Sequence, residues 1–132
     1  MRDESTTVQN LKEMVGRFAA ARDWEQYHSP KNLAMSLAIE AAELMELFQW
    51  CTLEESRILL HNRAARKRIE EELADVASYL FEFCHLYQMD LASILAAKMK
   101  KNHTKYPVAL AKGRSEKYTS VVFSRRGKEA KT

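Results

Sequence analysis

RAARKRIEEELADVASYLFEFCHLYQ, residues Arg63 to Gln88, contains neither glycine nor proline. Within it Ile69, Leu73, Val76, Leu80, Phe83 and Tyr87 recur at intervals of three and four. That is the spacing of one face of an α-helix, and Asn62 stands where a side-chain oxygen can cap its first turn. A strand would alternate with period two, which this stretch does not. The whole chain has only 3 Gly and 2 Pro in 132 residues, too few turn-formers for a β-sandwich, so the helical reading extends outward in both directions.

Upstream, Ser29-Pro30 supplies an N-cap and a first-turn proline for a helix running to about Trp50, with Leu33, Leu37, Ala41, Leu44 and Phe48 on its stripe. Before it, Val8, Leu11, Val15, Phe18 and Ala19 mark a helix over Thr6 to Arg22, followed by the irregular aromatic run Asp23-Trp24-Glu25-Gln26-Tyr27-His28. Thr52-Leu53-Glu54-Glu55 has the form of a capping box and opens a short helix or a turn. Asp90 caps a last helix that ends before Tyr106-Pro107. Val121-Val122-Phe123 reads either as a short strand or as irregular chain. The expected fold is all-α, a bundle of four to five helices.

A hydrophobic content of 46% with 30% charged residues is globular. No apolar run approaches the roughly 18 residues of a membrane span, and Met1-Arg2-Asp3-Glu4 lacks a signal peptide's apolar segment, so a cytoplasmic location with no membrane partner is expected. Cys51 and Cys84 form no metal or redox motif and read as reduced thiols, at least one in the core. The net charge of +3 belongs to the end of the chain. Residues 112–132 carry seven basic and two acidic residues, and residues 1–111 carry 14 and 16. The expected organisation is therefore a helical domain over 1–111 and a loosely ordered basic tail over 112–132. A slightly acidic body argues against nucleic acid as a partner.

Two acidic pairs stand out. Glu40 and Glu43 are three apart on the second helix, and Glu72 and Asp75 three apart on the long one. Measured from Leu37 and from Ile69, each pair falls about 60° and about 120° to the same side of its apolar stripe. On adjacent helices the four carboxylates would converge and repel unless a cation lay among them. Oxygen-only ligands suit a hard ion, Mg²⁺ or Mn²⁺. The plain alternative is four boundary charges on amphipathic helices.

These residues carry a family resemblance. Glu40-Ala-Ala-Glu43, Leu47-Phe48-Gln49-Trp50 and Glu71-Glu72-Leu73-Ala74-Asp75 resemble the motifs of the MazG-like all-α nucleoside triphosphate pyrophosphohydrolases, nearest to the dCTP pyrophosphatase branch. Arg22-Asp23-Trp24-Glu25-Gln26-Tyr27-His28, Asn32-Leu33, Lys98, Asn102, Tyr106-Pro107, Gly113-Arg114-Ser115 and Lys117-Tyr118 look like the same branch, so the resemblance spans about residues 8–119. There are three departures. Ile39 replaces the first of two adjacent glutamates, Lys105 replaces an arginine, and Val15 occupies the position of a histidine that lies near the base in the vertebrate dCTP enzymes, so strict cytosine preference does not carry over.

The resemblance implies cleavage of a triphosphate between its α and β phosphorus atoms, releasing the monophosphate and pyrophosphate. It implies Mg²⁺ on Glu40, Glu43, Glu72 and Asp75, with Glu43 orienting or deprotonating the attacking water. Lys98, Asn102 and Lys105 share one helical face, suited to β and γ phosphates or else to an ordinary solvated basic helix end. Tyr106 either covers the phosphates or packs before Pro107. Trp24 and Trp50 match base-pocket positions, although indoles beside helix ends commonly serve as core. Tyr79 falls between Glu72 and Asp75 in phase, against sugar or base. His28 is a further substrate-binding candidate, or a packed histidine.

Phe81, Phe83, Leu86 and Met89 spread apolar surface around the long helix, and the family's members are dimers or dimers of dimers, so a homo-oligomer, a tetramer for preference, is expected. Two rivals remain. Glu25-x-x-His28 and Glu82-x-x-His85 formally supply the paired motifs of a ferritin-like di-metal protein, but Glu82 with His85 reads as out of phase with Glu72 and Asp75. The other is a non-catalytic helical module whose basic tail binds nucleic acid.

Overall fold

Thr7 Oγ1 accepts the backbone N–H of Asn10, and the Asn10 side chain accepts that of Thr7, so a reciprocal cap starts α1 (Val8–Ala20). The computed structural model describes residues 1–115. Asp23 takes a left-handed conformation (φ 56°), tolerable for Asp, and turns the chain into one 3₁₀ turn at Glu25–Tyr27. Ser29 then caps α2 (Pro30–Glu46) by accepting from Asn32 N–H, with Pro30 at the first position. The Thr52–Glu55 box, bonded in both directions, starts α3 (Leu53–Leu59). Asn62 accepts from the N–H groups of both Ala64 and Ala65 at the start of α4 (Arg63–Leu86).

Among the described residues there are six α-helices and no strand. The sequence reading is thus correct in class and one short in helix count. The addition is α6 (Val108–Ala111), one turn that begins after Pro107, whose fixed φ of −58° suits a helix start. Three helices are shorter than expected, α1 by two residues at each end. The Leu47–Trp50 segment leaves the α2 spiral in tight turns, and Gln88, at φ 52°, closes α4 in the left-handed manner of a helix C-terminus. The strand suggested at Val121–Phe123 lies outside the described residues.

The chain divides into two compact units, Met1–Asp90 and Leu91 onward. In the first, α4 packs along α2 and also against α1. Leu33, Ile69, Ala19 and Cys84 are buried, so one of the two cysteines is indeed core. Lys12 is buried too. Its Nζ donates to the Met89 carbonyl oxygen at 2.8 Å and ties α1 to the end of α4. In the second unit, α5 (Leu91–Lys105) leads into α6.

The stripe of α4 is not buried as read. Ile69 is inside, but Leu73 is 50% and Leu80 36% exposed. Glu72, by contrast, is only partly exposed. Over this stretch burial is displaced toward the acidic flank, because that flank is the side α4 presents to α2.

Candidate functional site

The displacement brings the acidic residues together. Glu40 and Glu43 project from α2 and Glu72 from α4, and one carboxylate oxygen from each lies within 4.8 Å of the other two. Glu40 feels the crowding. Its carboxyl is held above the usual carboxylate range, first by burial and then by the charges of Glu43, Asp75 and Glu72. Asp75 is one turn beyond Glu72, near enough to act on Glu40, though outside the tight group of three. A cation among these oxygens would reverse the repulsion. An all-carboxylate donor set with one ligand partly desolvated fits a hard divalent ion. No other group of three or more His, Cys, Asp or Glu side chains among the described residues is so placed.

Asp75 also forms part of the wall of a cleft of about 460 Å³. Met14, Val15, Phe18 and Ala19 of α1 make one side, Asp75, Ser78, Tyr79 and Glu82 of α4 the other, and Trp24 and His28 close an end. The size and the mostly apolar, aromatic lining suit one small ring system. Phe18 and Trp24 meet edge to face at 5.7 Å, and the Arg22 guanidinium lies 3.6 Å above the Phe18 ring. The aromatic run is pinned from several sides. Asn32 Nδ2 donates to the Tyr27 carbonyl, the Tyr87 hydroxyl to that of His28, and His28 Nδ1 lies 3.1 Å from Glu82 Oε1.

The chain that sets this acidic group beside an aromatic cleft is similar to known proteins. The MazG-like family model matches residues 35–121. The chain belongs to the MazG-like family. It is 39% identical over 115 residues to dCTP pyrophosphatase 1 of Homo sapiens and 38% identical to that of Bos taurus, spanning 87% of this chain and 68% of each relative. A crystal structure of a pyrophosphatase from Archaeoglobus fulgidus superposes with a TM-score of 0.72 at 37% identity, over 81% of this chain and 98% of the other.

In this MazG-like chain the structure brings Glu40, Glu43 and Glu72 into one group, and Asp75, Tyr79, Trp24 and His28 into the adjoining cleft. Trp50 is not brought to the cleft. It follows the end of α2 and is 89% exposed. Lys98, Asn102 and Lys105 lie on α5 of the second unit, and Tyr106 directly follows, its N–H donating to the Asn102 carbonyl.

One cleft residue escaped the sequence reading. Glu82 was set aside as out of phase, yet it shares the cleft wall with Asp75 and Tyr79. The spacing explains this. Seven residues make nearly two full turns, so Glu82 sits above Asp75 on one face, with Tyr79 between. Glu25, His28, Glu82 and His85 form no ligand group of three or more among the described residues, which speaks against the ferritin-like alternative. His28 is used by Glu82 across the fold, and the His85 ring packs so closely on Gly16 that no Cβ would fit there.

Proposed function

We propose that this protein hydrolyses nucleoside and deoxynucleoside triphosphates to the monophosphate and pyrophosphate, acting on dCTP-like or modified pyrimidine nucleotides and so cleansing the nucleotide pool. The convergence of Glu40, Glu43 and Glu72 beside the aromatic cleft carries this reading. Similarity to proteins named dCTP pyrophosphatase 1 supports it.

The chemistry follows from charge. A triphosphate is strongly anionic and is repelled by bare carboxylates, so the site is an Mg²⁺ site, with Mn²⁺ as a substitute. Bound there, such a metal would supply positive charge to offset the negative charge that develops during cleavage. Glu40, Glu43, Glu72 and Asp75 would hold it, and Glu43, the most exposed of the grouped three, is placed to orient the attacking water. Trp24, Tyr79 and His28 surround the base and sugar. Lys98, Asn102 and Lys105 on α5, with Tyr106 after it, offer cationic and polar groups suited to the β and γ phosphates.

Half-exposed Met35 and Ile39 on α2, with Leu73 on α4, are apolar surfaces that a homodimer or homotetramer would cover. Gel filtration is expected to give a species larger than one chain. No helix among the described residues is long and apolar enough to cross a membrane, and a cytoplasmic location fits a nucleotide-pool enzyme.

A panel of triphosphates with Mg²⁺ tests the reaction. The expected products are monophosphate and pyrophosphate, and turnover is expected to fall by orders of magnitude in Glu43→Gln and in Asp75→Asn with helical circular dichroism retained. Diphosphate and orthophosphate as products would overturn the reaction, and near-normal rates in both variants would overturn the site.

A further inference from the structure

Glu82 is 4% exposed and lines the cleft. His28 occupies its Oε1 at 3.1 Å, while Oε2, equally shielded from water, has no hydrogen-bond partner. A buried acceptor without a donor is a costly thing to keep, and such groups in a binding cleft mark where a ligand's donor belongs. The terminal torsion of a glutamate is soft, so the carboxylate can turn toward a ligand while His28 retains its other oxygen. Ser78 and Tyr79 are the polar neighbours on the same wall, and the Ser78 hydroxyl already donates to the Ala74 carbonyl. Met14, Val15, Phe18 and Ala19 on the facing helix are apolar, and Asp75 is two turns away beside the acidic group.

We propose that Glu82, held by His28, selects nucleotides by accepting a hydrogen bond from an exocyclic amino group on the base. The inference rests on the nucleotide reading above and narrows its substrate class to amino-bearing bases. A carboxylate has only acceptors to offer. The N4 amino group of cytosine or the N6 amino group of adenine satisfies it, whereas the carbonyl at the same place in uracil, thymine or hypoxanthine sets oxygen against oxygen. A site whose buried polar group is satisfied by one ligand and orphaned by its analogue discriminates far better than one relying on shape. His28 acts as a positioning residue. It holds Oε1 and so aims Oε2.

Two substrate pairs that differ only at this group isolate the effect, dCTP against dUTP and dATP against dITP, each assayed for kcat/KM with Mg²⁺. The wild-type protein should prefer the amino member of each pair that it turns over, by roughly 100-fold. Glu82→Gln, whose amide can donate as well as accept, should bring the ratio to within about tenfold, chiefly through the KM of the keto member. Calorimetric binding of dCMP against dUMP reads the same selection without turnover. Preference for dCMP with no hydrolysis of any triphosphate would therefore count against the proposed reaction and for the role of Glu82. Equal or inverted preference in the wild-type protein would overturn the inference even if the variant failed to fold. So would an unchanged ratio in a folded Glu82→Gln.

Discussion

His28 Nδ1 lies 3.1 Å from Glu82 Oε1, joining two residues 54 positions apart in the chain, the His28 side chain 16% and the Glu82 side chain 5% exposed. The bond anchors the aromatic run to α4, and the Tyr87 hydroxyl holds the same histidine's carbonyl at 3.0 Å. Cutting it would leave both carboxylate oxygens of Glu82 unpartnered. His28→Ala is expected to lower unfolding stability by about 1.5–3 kcal/mol, as for a hydrogen bond to a charged group away from water. Urea denaturation measures this, and a loss under about 0.5 kcal/mol, the scale of an ordinary surface substitution, would mean that the pair is not held in solution.

The acidic group makes the metal-free fold sensitive to pH. The Glu40 carboxyl titrates above its ordinary value, mainly through burial and then through its acidic neighbours. Its contribution to stability is therefore fully present below the ordinary carboxylate range and is lost as pH rises through the raised value. A bound cation offsets that loss where the carboxylates are charged, and protons compete with it where they are not. Mg²⁺ at about 100 times its Kd should raise Tm by roughly 5–10 °C at neutral pH, and by clearly less near pH 4.5. An equal shift at both pH values would argue that the ion sits elsewhere.

Trp24 closes one end of the cleft and meets Phe18 edge to face. Stacking of a base on an aromatic ring is worth about 1–3 kcal/mol, so Trp24→Ala should raise KM by roughly 5- to 150-fold and change kcat far less. Steady-state kinetics on the preferred triphosphate separates the two. A fall in kcat alone would place Trp24 away from the base.

Gly16 is a packing requirement. A Cβ there would overlap the Cδ2 and Nε2 atoms of the His85 ring, so α1 approaches α4 closely only where the side chain is missing. Gly16→Ala gains helix propensity, yet it is expected to destabilise the fold by about 1–3 kcal/mol through overpacking. Pairing it with His85→Ala should recover part of the loss in thermal unfolding. Additive losses in the double variant would show that the contact is unimportant.

The chain's own order of residues determined the helical class, the caps at Ser29, Thr52 and Asn62, and the matching phase of Glu40 with Glu43 and of Glu72 with Asp75, because all of these depend on neighbours within about one helical turn. Local spacing also put Tyr79 beside the acids, and it lines the cleft. The tertiary structure decided which part of each stripe faces inward. Leu73 and Leu80 lie on the apolar stripe yet stand partly exposed, while Glu82 is buried and Glu72 partly so, since the rotation of a helix about its axis is set by its partner helices. The His28–Glu82 bond was beyond local reading for the same reason. Nothing in a window of a few residues says that position 28 will meet position 82, and only the packing of α1 and α2 on α4 closes that distance.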